Sequence, residues 1–199
     1  EDALTLVPAE DGGTCKREDV VASILKTVPS VVNDNTVRVP MTVIKPTVDD
    51  TSAKQLITQL ENRLSSKPAI KVGDESIAVD AAKIRTWLVF TEVEGTIIPS
   101  IDTAKATDTL NELIAKKVTK PAGTVTITTR DFTELSRTGG GEGTALNIAG
   151  TSGNITKYLT GEAETIPVAI TVIQPQKKYI RSYSSTDTGL SALIQNYAE

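Results

Sequence analysis

The sequence predicts an α+β fold, a mainly antiparallel sheet with packed helices, and three observations carry that expectation. Short β-rich runs alternate with amphipathic helical stretches. Neighbouring runs are joined by hairpin turns rather than by crossovers. One strand is nearly written twice: Thr36, Val39, Thr42, Val43, Ile44 and Pro46 recur at constant spacing as Thr165, Val168, Thr171, Val172, Ile173 and Pro175. Proline lacks the N–H that a continuing ladder needs, so each copy, Thr36–Pro46 and Thr165–Pro175, is expected to be the last strand of a module. The result is an internal half-module duplication. Residues 1–46 are expected to be the C-terminal half of a preceding module, 47–175 a complete module, and 176–199 a linker and the first helix of a further domain.

The elements follow in order. Thr5–Pro8 reads as a short strand, followed by a turn through Asp11-Gly12-Gly13. A helix from Thr14 or Lys16 to Val28 carries Val20, Val21, Ile24, Leu25 and Val28 on one face, and Pro29 closes it. After the first repeated strand, Asp50 or Thr51 is placed to cap a helix to Ser66 with the stripe Leu56, Ile57, Leu60 and Leu64. Ala69–Val72 and Ser76–Val79 form a hairpin around Gly73-Asp74. Asp80 caps a short helix to Thr86. Trp87–Val93 and Thr96–Ile101 pair around Glu94-Gly95, and Asp102 caps a helix through Leu110, Leu113, Ile114 and Val118. Gly123–Arg130 alternates, with Val125 and Ile127 inward and Thr124, Thr126 and Thr128 outward. It is matched to Thr5–Pro8 in the repeat. Arg130–Gly143 reads as a polar loop, Asn147–Leu159 as a weaker helix and Gln176–Tyr183 as a linker. Thr186 or Asp187 is placed to cap a last helix carrying Leu190, Leu193, Ile194 and Tyr197.

Composition removes several function classes. The 199 residues carry a net charge of −4 and only 4% aromatics, which argues against nucleic acid or an anionic lipid surface. The same balance argues against polyanionic wall polymers unless a local basic patch evades it. There is no histidine, so the commonest general base and metal ligand are missing. Cys15 stands alone, and no internal disulfide can form. A metal would need clustered carboxylates. The tightest pair, Asp49-Asp50, reads as a helix start, and no cofactor is expected. No run reaches transmembrane length. A membrane would be reached only through an anchor outside the sequence, and a start at Glu1 without Met fits a trimmed chain.

The order of elements, with the Pro-terminated strand Val39–Pro46, the helix carrying Leu56 and Leu60, the segment Pro68–Gly73 and above all Ile84-Arg85-Thr86-Trp87-Leu88, resembles a known family. It is the peptidoglycan-binding domain family of VanW-type proteins and of the regions ahead of L,D-transpeptidase catalytic domains, whose signature is Ile-x-x-Trp-Leu. The resemblance covers about Thr47–Pro175. It implies a non-catalytic, extracytoplasmic module of a bacterial surface protein that binds peptidoglycan or acts as a spacer. The alternative is a structural or adhesive stalk that binds a protein partner. Ser185–Glu199 also resembles the opening helix of serine-hydrolase domains related to β-lactamases, which implies a downstream catalytic domain. The family offers no residue motif for a ligand site, so the binding residues are left unassigned and no catalytic or metal residue is named.

Single residues invite sharper readings. Trp87 could stack on a sugar ring, but its place between Ile84 and Leu88 favours a core anchor. Gly139-Gly140-Gly141 with Gly143 has neither a dinucleotide nor a phosphate-loop spacing and reads as a flexible surface loop. Arg130, Asp131, Glu134 and Arg137 read as loop charges. Ser182, Ser184 and Ser185 near Lys177 and Lys178 lack the Ser-x-x-Lys spacing of a nucleophile and its base.

Overall fold

The computed structural model describes residues 3–27 and 37–183. Its fold is α+β. Helix α2 (Asp50–Ser65) begins where the Asp49 carboxylate accepts from the Ser52 N–H at 2.8 Å. The cap is thus Asp49, one residue before the expected Asp50 or Thr51, and Asp50 forms the first turn. Leu60 and Leu64 of its stripe are fully buried, with Ala53 beside them. Strands β3 (Ala69–Val72) and β4 (Glu75–Ala78) pair around Gly73, whose φ of 59° a side chain would resist. Asp80 accepts from Ala82 N–H at 2.9 Å and starts α3 (Ala81–Trp87). Strands β5 (Leu88–Val93) and β6 (Thr96–Ile101) form the second expected hairpin, turning at Glu94-Gly95 with both φ positive. Asp102 caps α4 (Thr103–Leu110), which widens into a π-helical turn, Asn111–Ala115, before a last α turn, α5 (Lys116–Val118). Leu110 and Ile114, four residues apart and on one face, are both buried in the core.

The core lies between these helices and α6 (Ile148–Leu159), where Ile155 and Leu159 meet Leu60, Leu64, Leu110 and Ile114. Gly150 costs helix propensity, yet a Cβ there would lie 2.7 Å from the Ala169 Cβ. Its absence lets the helix close on the following chain. Arg63 joins α2 to the far side of α6: its guanidinium lies 5.3 Å from the Tyr158 ring centroid and 2.9 Å from the Glu164 carboxylate.

Among the described residues the strands form five small sheets rather than one. Strands β7 (Thr124–Arg130) and β8 (Thr133–Gly139) make an antiparallel hairpin, and β12 (Gln176–Ser182) pairs with β7 in parallel. Strand β9 (Gly143–Leu146) pairs antiparallel with β11 (Ile170–Ile173), and β10 (Ile166–Pro167) runs parallel to β3.

Several sequence expectations are corrected. Thr5–Pro8 is not a strand. That stretch is held by its flanks, Leu4 N–H on Glu61 and Ala9 N–H on Asp50, each at 2.9 Å. The first repeated strand is extended ladder only over β2 (Thr42–Ile44), because Pro40 cannot donate to a ladder. The second breaks after Pro167, where Val168 N–H bonds Lys71 and Ala169 N–H bonds the Thr151 hydroxyl. Arg130–Gly143 is not a loop: half of it is β8, reached by a two-residue turn at Asp131-Phe132 with φ of 45° and 66°. Gln176–Tyr183 is not a linker but mostly β12. Thr36, Val28, Pro29 and the predicted helix Leu190–Tyr197 lie outside the described residues.

The duplication is visible as register. Strand β1 (Gly12–Thr14), helix α1 (Arg17–Thr27) and β2 repeat as β9, α6 and β11. Ile44 pairs with Gly12 and Val43 with Gly13; correspondingly Ile173 pairs with Gly143 and Val172 with Thr144. One step outward, Lys45 forms an ion pair with Asp11, and Gln174 donates to Glu142 at 2.8 Å. The partner of each repeated strand is therefore the glycine segment itself, not Thr5–Pro8 or Gly123–Arg130.

Candidate ligand-binding face

Strand β7 supplies the frame. Its alternation buries Val125 and Ile127 and leaves Thr124, Thr126 and Thr128 on the opposite face. Paired residues of adjacent strands share a face. The parallel register sets Lys177 beside Val125, Tyr179 beside Ile127 and Arg181 beside Thr129. From the other side, the antiparallel register sets Arg137 beside Ile127 and, after a bulge at Thr128/Thr129, Glu134 beside Thr129. One face of this three-stranded arm therefore collects Lys177, Tyr179, Arg181, Arg137 and Glu134. The long side chains lie over Val125 and Ile127.

Electrostatics follow from that grouping. Arg137 and Glu134 exchange two bonds of 3.0 Å each. The paired Arg137 guanidinium holds the Glu134 carboxyl below its ordinary pKa, with Lys177 adding to the effect, and the same bonds raise Arg137. The Arg181 guanidinium lies 5.3 Å from the Tyr179 ring centroid. Tyr179 remains 48% exposed. Across β7, β8, their turn and 176–183 there are five basic residues (Arg130, Arg137, Lys177, Lys178, Arg181) and two acidic ones (Asp131, Glu134), a formal +3 on a chain of −4.

The residues singled out in the sequence scatter. Trp87 is 2% exposed, inside the main core. Gly139-Gly140-Gly141 forms the tight return from β8: Gly140 has a φ of 81°, and a Cβ on it would fall 2.1 Å from Val125 Cγ2. Glu134 and Arg137 come together on the face, whereas Arg130 and Asp131 lie at the hairpin end. The Ser182 hydroxyl donates to the Thr129 carbonyl at 3.1 Å, and Lys177 and Lys178 point to opposite faces of β12. Ser184 and Ser185 lie outside the described residues. Sequence reasoning missed the face because it read Gln176–Tyr183 as a linker. The available signal was the period-two spacing of Lys177, Tyr179 and Arg181.

A cleft of about 160 Å³ between Leu4, Leu6, Leu56, Ile57, Phe90 and Ile97 is smaller than the range of ligand pockets and lined almost wholly by apolar side chains. Among the described residues no three His, Cys, Asp or Glu side chains gather as a metal site, and no helix is long and apolar enough to cross a membrane.

No protein-family model, curated protein or solved structure matches the chain. The family resemblance therefore rests on the residues quoted for it and on the order of elements.

Proposed function

We propose that the chain is a non-catalytic, extracytoplasmic module of a bacterial surface protein that binds peptidoglycan. The observation that supports this reading is the basic, tyrosine-bearing face of the β12–β7–β8 arm. A chain of net −4 is repelled as a whole by a polymer rich in carboxylates, but screening confines interactions to about 8 Å at physiological salt. At that range Lys177, Arg181 and Arg137 decide the sign. The resemblance through Ile84, Trp87 and Leu88 points the same way.

The test is co-sedimentation of the purified chain with isolated sacculi. The expected result is pelleting above that of a control protein, weakened by salt and by the double substitution Lys177→Glu, Arg181→Glu. Pelleting no greater than the control overturns the binding reading.

A second reading, a stalk that docks a protein partner, is favoured by one feature. Among the described residues nothing buries the apolar face of α1, and Val21, Ile24 and Leu25 are all exposed. Absence of sacculus binding, together with binding of a surface protein that substitutions at Val21 and Leu25 abolish, would favour this second reading.

A further inference from the structure

We infer that the arm takes the peptide stems of peptidoglycan, held as an extended strand along the open edge of β12, rather than its glycan chains. This rests on the wall-binding reading and narrows it.

Charge is the first ground. The carboxylates of peptidoglycan belong to its stems, while the sugar rings offer mainly hydroxyl and acetamido groups. A sugar site needs acceptors and open aromatic faces. This face has one aromatic ring, Tyr179, with the Arg181 guanidinium stacked near it, and one carboxylate, Glu134, already engaged twice by Arg137. What it does offer is Lys177 and Arg181, four residues apart on one strand, roughly 13 Å at about 3.3 Å per residue. Arg137 lies two strands away.

The backbone is the second ground. Gln176 N–H bonds the Gly123 carbonyl, and the Ser182 carbonyl accepts from Asp131 N–H. The even-numbered residues of β12 thus face the hairpin. Alternation turns the N–H and C=O of Lys177, Tyr179 and Arg181 outward. Strand β12 is the edge of its sheet among the described residues, and all seven of its residues are exposed. An unpaired edge is a template for an added strand. The residues with outward-facing backbone groups are also those whose side chains form the cationic face, so an extended acidic peptide would meet both at once.

The experiment adds free stem peptide, and separately soluble N-acetylglucosamine oligomers, as competitors in the pelleting assay with intact sacculi. Loss of pelleting with the peptide but not with the oligomers is expected. Loss with the oligomers, or no loss with the peptide, leaves the wall-binding reading standing and overturns the stem assignment; no pelleting even without competitor overturns both. Edge pairing is checked separately with Tyr179→Ala and Tyr179→Pro. Both remove the ring, but only proline removes the outward N–H, at a position that leaves the β7 ladder intact. With melting curves confirming that both variants fold, the proline variant is expected to bind intact sacculi at least tenfold more weakly than the alanine variant. Equal binding overturns strand addition, and if the proline variant does not fold, the competition experiment still decides the stem assignment.

Discussion

Ile24 and Ile155 occupy the same place in two copies of one strand–helix–strand unit, yet Ile24 is 43% exposed and Ile155 is fully buried. The register of β1 with β2 and of β9 with β11 fixes their equivalence. What differs is the cover: α2 and α4 lie over α6, and no described element packs α1 in the same way. Ile155→Ala should therefore cost about 2–5 kcal/mol, and Ile24→Ala well under about 1.5 kcal/mol. Urea unfolding of both variants checks this, and equal losses would mean that α1 is covered after all.

Ser152 is 2% exposed, and its hydroxyl has no hydrogen-bond partner among the described residues. A buried, unpaired hydroxyl costs about 1–3 kcal/mol. The equivalent residue in the first copy is Val21, an apolar side chain. Ser152→Ala should leave stability unchanged or raise it by up to about 1 kcal/mol, read as a higher Tm. A clear fall in Tm would show that the hydroxyl is satisfied.

Trp87 ends α3 inside the core, and its carbonyl accepts from Asp102 N–H at 2.7 Å, tying the end of α3 to the start of α4. Removing the indole should cost about 3–5 kcal/mol without altering the affinity of the folded fraction for sacculi. Unchanged Tm with lost binding would instead make Trp87 a contact residue.

Glu61 bridges three segments: it takes two bonds from Arg85 on α3, at 2.7 and 3.0 Å, and one from the Leu4 N–H. The Arg85 guanidinium, helped by that N–H and opposed by burial, holds the carboxyl below its ordinary value of 4.5. A lowered folded pKa means that the unfolded chain binds the proton first as pH falls. The stabilisation is complete above the ordinary value and is lost as pH drops through the folded one. Glu61→Gln should be less stable at neutral pH by about 1–3 kcal/mol and lose less than the wild type on acidification below 4.5. Without histidine, wild-type stability should be nearly flat from about pH 6 to 8. Melting curves from about pH 3 to 8 measure both effects, and parallel acid limbs would remove Glu61 from the account.

The sequence made legible whatever carried its own local chemistry. Asp80, Asp102 and Asn147 mark helix starts because a short acceptor precedes an apolar period. Gly73 and Glu94-Gly95 mark hairpins because few residues tolerate positive φ. Strands β8 and β12 were hidden for the opposite reason. They are exposed throughout, so they bury nothing that would write an apolar alternation, and their polarity reads as loop. Thr5–Pro8 failed the other way, as an apolar run that finds no ladder partner. The candidate face stayed illegible because it is assembled across strands: Arg137 and Tyr179 meet only through β7, and no spacing along the chain records that.

The parallel pairing of β12 with β7 also orders events in time. The hairpins β3–β4, β5–β6 and β7–β8 close over a few residues each, but Thr124 meets Gln176 only after the chain between them has gone through β9, α6 and β11. Closing so long a loop before its contents are packed costs entropy that a two-stranded edge cannot offset. Strand β12 should thus dock last, and its amides should gain exchange protection after those of α6 in a pulse-labelled refolding reaction. The cationic face would then exist only on a molecule whose interior is already assembled. A chain that misfolds its core would then lack the face to which the ligand is proposed to bind.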